Sequence, residues 1–211
     1  MPDNETVTRP AAGRERTGFS NVFVALYHIA NGVVTYSDCI KLGRARNINV
    51  SATVAEGNDY YADDDVAEVG NNRFVKGTAD VTIDGAWTEV RRLVYGLLRT
   101  KSITVGQETV SLTPYGTDQK LPYMGIGWVE DYQSAGEEFH VAKMLRKVRF
   151  KQSDSEEANT REEQISWQDE TMKMDVMRDG SDENDFKYES EELDSKSLAI
   201  AVVEQLLGKT A

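Results

Sequence analysis

Histidine, cysteine and clustered carboxylates are the side chains through which this chain could do chemistry, and they are few or scattered. The two histidines, His28 and His140, stand far apart, with no HExxH pattern and no cysteine beside them. Cys39 is the single cysteine, cannot close an internal disulfide, and reads as a small packing residue. Gly125 and Gly127 lack the third glycine and the strand-to-helix setting of a dinucleotide loop. Neither a GxSxG elbow nor a GxxxxGK phosphate loop occurs. Asp63, Asp64 and Asp65 are adjacent, so they cannot all point one way from a strand. A calcium-loop register begun at Asp179 puts Asn184 where glycine is needed and Ser190 where the bidentate glutamate belongs. Among 36 acidic residues, no spacing selects a carboxylate pair for glycoside hydrolysis. The chain therefore reads as no enzyme, with no cofactor and no metal.

The surface candidates lie between Ala55 and Asn72, where Tyr60 and Tyr61 precede the three aspartates. A loop of this length between two patterned strands either has a task or is a solvated or disordered excursion, and the two amphipathic tyrosine rings favour a partner surface.

The flanking elements read as strands. Ile48, Val50, Ala52 and Val54 alternate with polar neighbours before the loop. After it, Val75, Gly77, Ala79, Val81 and Ile83 alternate with Lys76, Thr78, Asp80 and Thr82. At Asp84 the period changes to helical, with Trp87, Val90, Leu93, Val94, Leu97 and Leu98 on one side and Asp84 as N-cap. Val22 to Ile29 and Val33 to Tyr36, joined by Asn31-Gly32, give the strongest hairpin signal. Ile103 to Leu112 offers two short strands, and Pro114 to Pro122 a turn-rich connection. Tyr123 to Val129 is an apolar strand with glycines, turning at Tyr132 to Gly136. Phe139 to Phe150 returns as a strand whose basic residues occupy one wet face. Met172, Met174 and Val176 mark another strand, closed by the turn Arg178 to Ser181. Ser195 caps a closing helix with Leu198, Ala199, Val202, Val203, Leu206 and Leu207 on one side. The expected division is a flexible N-terminal arm over 1–20, a β-domain over 21–194 with the long loop 54–72, and a C-terminal helix over 195–211.

Charge narrows the function classes. The 211 residues carry 36 acidic and 24 basic side chains, net -12, and residues 151–211 alone hold 17 acidic against 7 basic. Such acidity disfavours gripping nucleic-acid phosphates. No apolar run approaches the roughly 20 residues that span a bilayer, and the N-terminus is polar, so no membrane partner is expected and the chain is expected to fold in a cytoplasm.

Three stretches carry a resemblance: Asn47 to Glu68, with Tyr60-Tyr61-Ala62-Asp63-Asp64 followed by Val66-Ala67-Glu68; Pro122 to Trp128, aromatic and glycine-rich; and Val148 to Glu157, Val-Arg-Phe-Lys-Gln-Ser-Asp-Ser-Glu-Glu. In their order and spacing the chain resembles the major tail proteins of long, non-contractile tailed bacteriophages. The resemblance implies a mainly β fold, an antiparallel β-sandwich or barrel with a flanking helix, in hexameric rings stacked into a hollow virion tube. Its partners would be further copies and other tail proteins (tape measure, distal tail, terminator). Double-stranded DNA would pass through without specific binding. The resemblance places the inter-ring contact on loop 54–72, and here on Tyr60, Tyr61, Asp63, Asp64 and Asp65.

A carbohydrate- or protein-binding β-sandwich module is the alternative from another class. It needs an exposed aromatic platform. The patterns bury Trp87 and Trp128 and leave Trp167 as the candidate. A tail terminator or other ring-forming virion protein stays open within the first class.

Overall fold

A computed structural model of the chain describes residues 13–55, 60–62, 65–68, 73–116, 119–152 and 168–209. The elements run β1 (Glu15–Ala30), β2 (Val33–Gly43), β3 (Ala45–Ala55), β4 (Tyr60–Ala62), β5 (Asp65–Glu68), β6 (Arg73–Ile83) and α1 (Thr88–Val94). Then come β7 (Lys101–Val105), β8 (Glu108–Leu112), β9 (Met124–Ser134), β10 (Glu137–Phe150), β11 (Glu170–Met177), β12 (Lys187–Glu189) and α2 (Lys196–Leu206).

Period-two patterning organises most of them into one antiparallel sheet, in the order β2-β1-β9-β10-β11-β6-β3, with β12 paired to β10. The sheet curls until β3 packs beside β1, which is the expected mainly β, sandwich-like architecture. Inside the curl sit Val22, Val24, Ile83, Ile126, Trp128, Leu145, Phe150 and Met174, roofed by Val90 and Val94 of α1. On the outer face, α2 lays Ala199, Val203 and Leu207 over Phe23, Ala25, Val129, Ala142 and Met144. Gly125 and Gly127 permit that approach, since a Cβ on Gly127 would stand 2.7 Å from Val203 Cγ1.

The Asn31-Gly32 hairpin forms as read, with both residues at positive φ (50° and 77°) and Ala30 opposite Val33. Ser195 caps α2, its Oγ accepting from the Leu198 amide. Of the residues assigned to that helix's apolar side, Leu198 is instead half-exposed.

Four local readings need correction. Glu15 to Ser20 are not an arm: they belong to β1 and pair with Phe19↔Glu130 and Ser20↔Val129 on β9. Residues 1–12 lie outside the described residues.

Helix α1 is shorter than the pattern predicts and starts after Trp87, not at Asp84. Asp84 Oδ1 accepts the Arg44 amide at 2.9 Å, so the carboxylate secures the β2–β3 corner and caps nothing. Gly96, at φ 62°, stops the helix, with Leu97 N donating to Arg92 O and Gly96 N to Leu93 O. Trp87 and Leu98 thereby leave the apolar stripe, and Trp87 is 82% exposed.

Val75 is exposed although its parity matches buried Gly77, Ala79, Val81 and Ile83. Thr53 pairs with Lys76 but Val54 with Phe74, so Val75 is the extra residue of a bulge, and the bulge turns Phe74 inward.

Strand β10 has no continuous wet face, because the curl covers one side and α2 the other. Lys143 is buried, and Arg146, Lys147 and Arg149 lie over the rings of Tyr188, Tyr27 and Tyr123.

Candidate functional site

Strands β3 and β6 pair from Ala45↔Ile83 to Ala55↔Arg73, with β11 on the other side of β6 from Ile83 to Gly77, so that only the far ends, Thr53–Ala55 against Arg73–Lys76, form a two-stranded ribbon. At about 3.3 Å per residue, 11 residues span roughly 36 Å. On β3, Ile48 and Val50 pack inward, whereas Ser51 to Ala55 are all exposed. Two devices tie the strand pair to the body. Toward the loop end Phe74, opposite Val54, stacks on Phe186 with ring centroids 4.1 Å apart and planes within 1°. Arg46 reaches both carboxylate oxygens of Asp169, at 2.9 and 2.7 Å.

The predicted loop contains a further hairpin. Strand β4 pairs antiparallel with β5, Tyr60 opposite Glu68, Tyr61 opposite Val66 and Ala62 opposite Asp65. Tyr60, Tyr61 and Asp65 thus share one small ribbon. Asp63 and Asp64 lie outside the described residues, as does Trp167.

Edge hydrogen bonding is the chemistry this region offers. Among the described residues, strand β3 is bonded only to β6, and at the other end of the sheet β2 is bonded only to β1. Each presents a row of amides and carbonyls without a sheet partner, which templates pairing with another strand.

Beside β3 lies a cavity of about 430 Å³, lined by Ile48, Asn49, Val50, Trp128, Glu130 and Lys143 among others. Its floor is a charged cluster that the sequence reading missed. Lys143 Nζ lies 2.9 Å from Glu130 Oε2 and 3.3 Å from Glu189 Oε1. Trp128 Nε1 donates to Glu130 Oε1 at 3.0 Å, Tyr132 OH donates to Glu130 Oε2, and Arg16 Nε stands 3.1 Å from the same oxygen. Burial alone would raise the Glu130 carboxyl. The hydrogen bonds from Tyr132, Trp128 and Lys143, with the Lys143 charge, outweigh it and hold the group below its ordinary value. Burial likewise pulls Lys143 down, and its bonds to Glu130 and Tyr132 raise it on balance. Trp128, Glu130 and Tyr132 at alternate positions of β9 were the available signal, since period two puts all three on one face.

The histidines have structural partners. His140 Nδ1 lies 2.7 Å from Asp131, which Lys196 of α2 also reaches at 2.7 Å, and His28 Nε2 is 2.9 Å from Ser37 Oγ. Among the described residues, no three His, Cys, Asp or Glu side chains stand together as a metal site, and no helix is long and apolar enough to cross a membrane. No family model and no curated protein matches the chain.

Proposed function

We propose that the chain is the repeating structural subunit of a self-assembled tube, as its resemblance to the major tail proteins implies. The observation that carries this reading is the pairing of β3 with β6, in which Ser51 to Ala55 of β3 are exposed, the hairpin β4–β5 lies between the two strands in the chain, and one edge of β3 is unpaired among the described residues. An 11-residue edge strand left bare invites uncontrolled pairing, and ring closure by further copies removes it. Strand β2 supplies a second such edge at the far end of the sheet. One edge can then meet the other in a head-to-tail contact, the geometry that closes rings.

The hairpin β4–β5, which holds Tyr60, Tyr61 and Asp65, together with the intervening sequence positions Asp63 and Asp64, makes the contact between successive rings. A net charge of -12 suits a conduit that double-stranded DNA traverses without being held, with the protein incorporated into a virion tail beside the tape measure, distal tail and terminator proteins. Negative-stain electron microscopy across a concentration series, paired with light scattering, tests the reading. Hollow rods of uniform width or stacking rings are the expected result; a monomer at every concentration counts against it.

The exposure of Trp87 favours a second reading, a binding module with that indole as its platform. Glycan-array binding that is lost in Trp87→Ala would support the module over the tube.

A further inference from the structure

Strands β7 and β8 form a hairpin that shares no sheet with the body, with Lys101 opposite Leu112, Ile103 opposite Val110 and Val105 opposite Glu108. Cross-strand register and period two put Ile103, Val105, Val110 and Leu112 on one face, with Lys101 and Glu108 at its two ends, and Ser102, Thr104, Thr109 and Ser111 on the other. The four aliphatic residues are 42 to 64% exposed. That is backwards for a solvated hairpin, whose exposed positions need no aliphatic row. A lone two-stranded hairpin is also marginal in water and gains its stability from a third strand or a covering surface.

We infer that the apolar face of this hairpin docks on a second copy of the chain, a contact additional to the edge strands and the hairpin β4–β5; the inference rests on the self-assembly reading above. Charge complementarity selects the occupant. Arg99, Lys101 and Glu108 leave residues 99–112 net positive on a chain of net -12. Another copy therefore presents the hairpin with a surface of opposite sign. Segment 182–194, for instance, carries seven acidic residues against Lys187 alone. The contact is thus between unlike surfaces, which generates rings or filaments and not closed pairs.

The test compares self-association of the full chain with that of Val105→Asp/Val110→Asp and of the control Thr104→Asp on the polar face, by light scattering over a concentration and salt series. The expected result is at least a tenfold rise in the concentration needed for association in the double variant and little change in the control. Equal association of wild type and double variant overturns the inference while leaving the tube reading in place. Wild-type oligomers that never become rods, but are dispersed by the double variant, overturn the tube reading and keep the hairpin contact. A wild type that stays monomeric throughout overturns both. A photo-crosslinker at position 105 of the otherwise unaltered chain guards against misfolding of the variant. Capture of a second copy supports the contact, and purely intrachain products in assembled material refute it.

Discussion

Lys143 and Glu130 meet at 2.9 Å across the inner face of β9 and β10, each side chain less than a tenth exposed. Two ionised groups have been taken out of water at the end of an apolar core. Removing either partner weakens the compensation of the other, but Arg16 stays 3.1 Å from Glu130 and Glu189 stays 3.3 Å from Lys143, so the loss of about 3–5 kcal/mol that follows when a buried charge is stranded is an upper bound. Lys143→Met and Glu130→Gln are each expected to destabilise by about 1–3 kcal/mol, and the double variant by less than the sum of the two. Urea denaturation of the three variants measures this. Strict additivity would show that the two side chains are not coupled.

The same pair sets a pH dependence. The folded Glu130 carboxyl lies below its ordinary 4.5, so its stabilising share is fully present above 4.5 and is lost as the pH falls through the lowered folded value. Asp131, where burial is outweighed by bonds from Lys196 and His140, behaves the same way from 3.8 downward. Lys143, held above its ordinary 10.5, contributes below 10.5 and loses its share as the pH rises through the raised value. Stability should therefore be flat between about pH 5 and 9 as far as these groups are concerned, and fall at both ends. Thermal unfolding against pH should show a shallower acid limb for Glu130→Gln; an unchanged limb would remove Glu130 from the account.

Helix α2 depends on bare backbone beneath it. A Cβ at Gly127 would meet Val203 Cγ1 at 2.7 Å and Leu207 Cδ1 at 3.3 Å. Gly127→Ala is expected to cost about 1–3 kcal/mol through overpacking. Adding Val203→Ala, which removes the obstructing methyls, should recover part of that loss even though Val203→Ala alone destabilises. A double variant no better than the sum of the singles would place the strain elsewhere.

Burial pushes the Cys39 thiol up to about 11 from 9.0, the nearby Lys209 only partly opposing it. The thiolate population near neutral pH falls by roughly 100-fold, and since a higher-pKa thiolate is the stronger nucleophile, reaction with a disulfide reagent should be roughly 10-fold slower in the folded chain than in urea, before any steric hindrance is counted. Timed absorbance with a chromogenic disulfide checks this. Equal rates would mean that the β2 thiol is effectively solvated.

Tyr60→Ala/Tyr61→Ala is expected to leave the unfolding free energy of the monomer, measured in urea, within about 0.5 kcal/mol of wild type, because β4 and β5 pair with each other and not with the main sheet, while shortening or abolishing assembled rods. Rods of unaltered length and stability from this variant would relieve the tyrosines of the inter-ring role.

Local patterning was legible where a single neighbour decides the outcome. Asn31-Gly32 needs only its own positive φ angles, Ser195 only the amide three residues on, and the alternation of Met172, Met174 and Val176 only one buried face. Alternation marks the two strands that flank the long loop, yet β4 and β5 within it read as loop, because three- and four-residue strands carry too few periods to register. The pattern makes Asp84 a helix cap because a cap and a corner bond use the same carboxylate, and only the approach of Arg44, forty residues away, chooses between them.

By itself the sequence determined a mainly β chain, its hairpin, its acidic balance and the two patterned strands that bracket an excursion. Alternation, turn residues and charge are properties of neighbours along the chain. The tertiary structure alone decided that Lys143 lies inside and Trp87 outside, that one extra residue at Val75 turns Phe74 inward, and that β7–β8 keeps its aliphatic face bare. Those outcomes depend on which distant strand or helix covers a face, and a period along the chain reports that a face exists without saying what covers it.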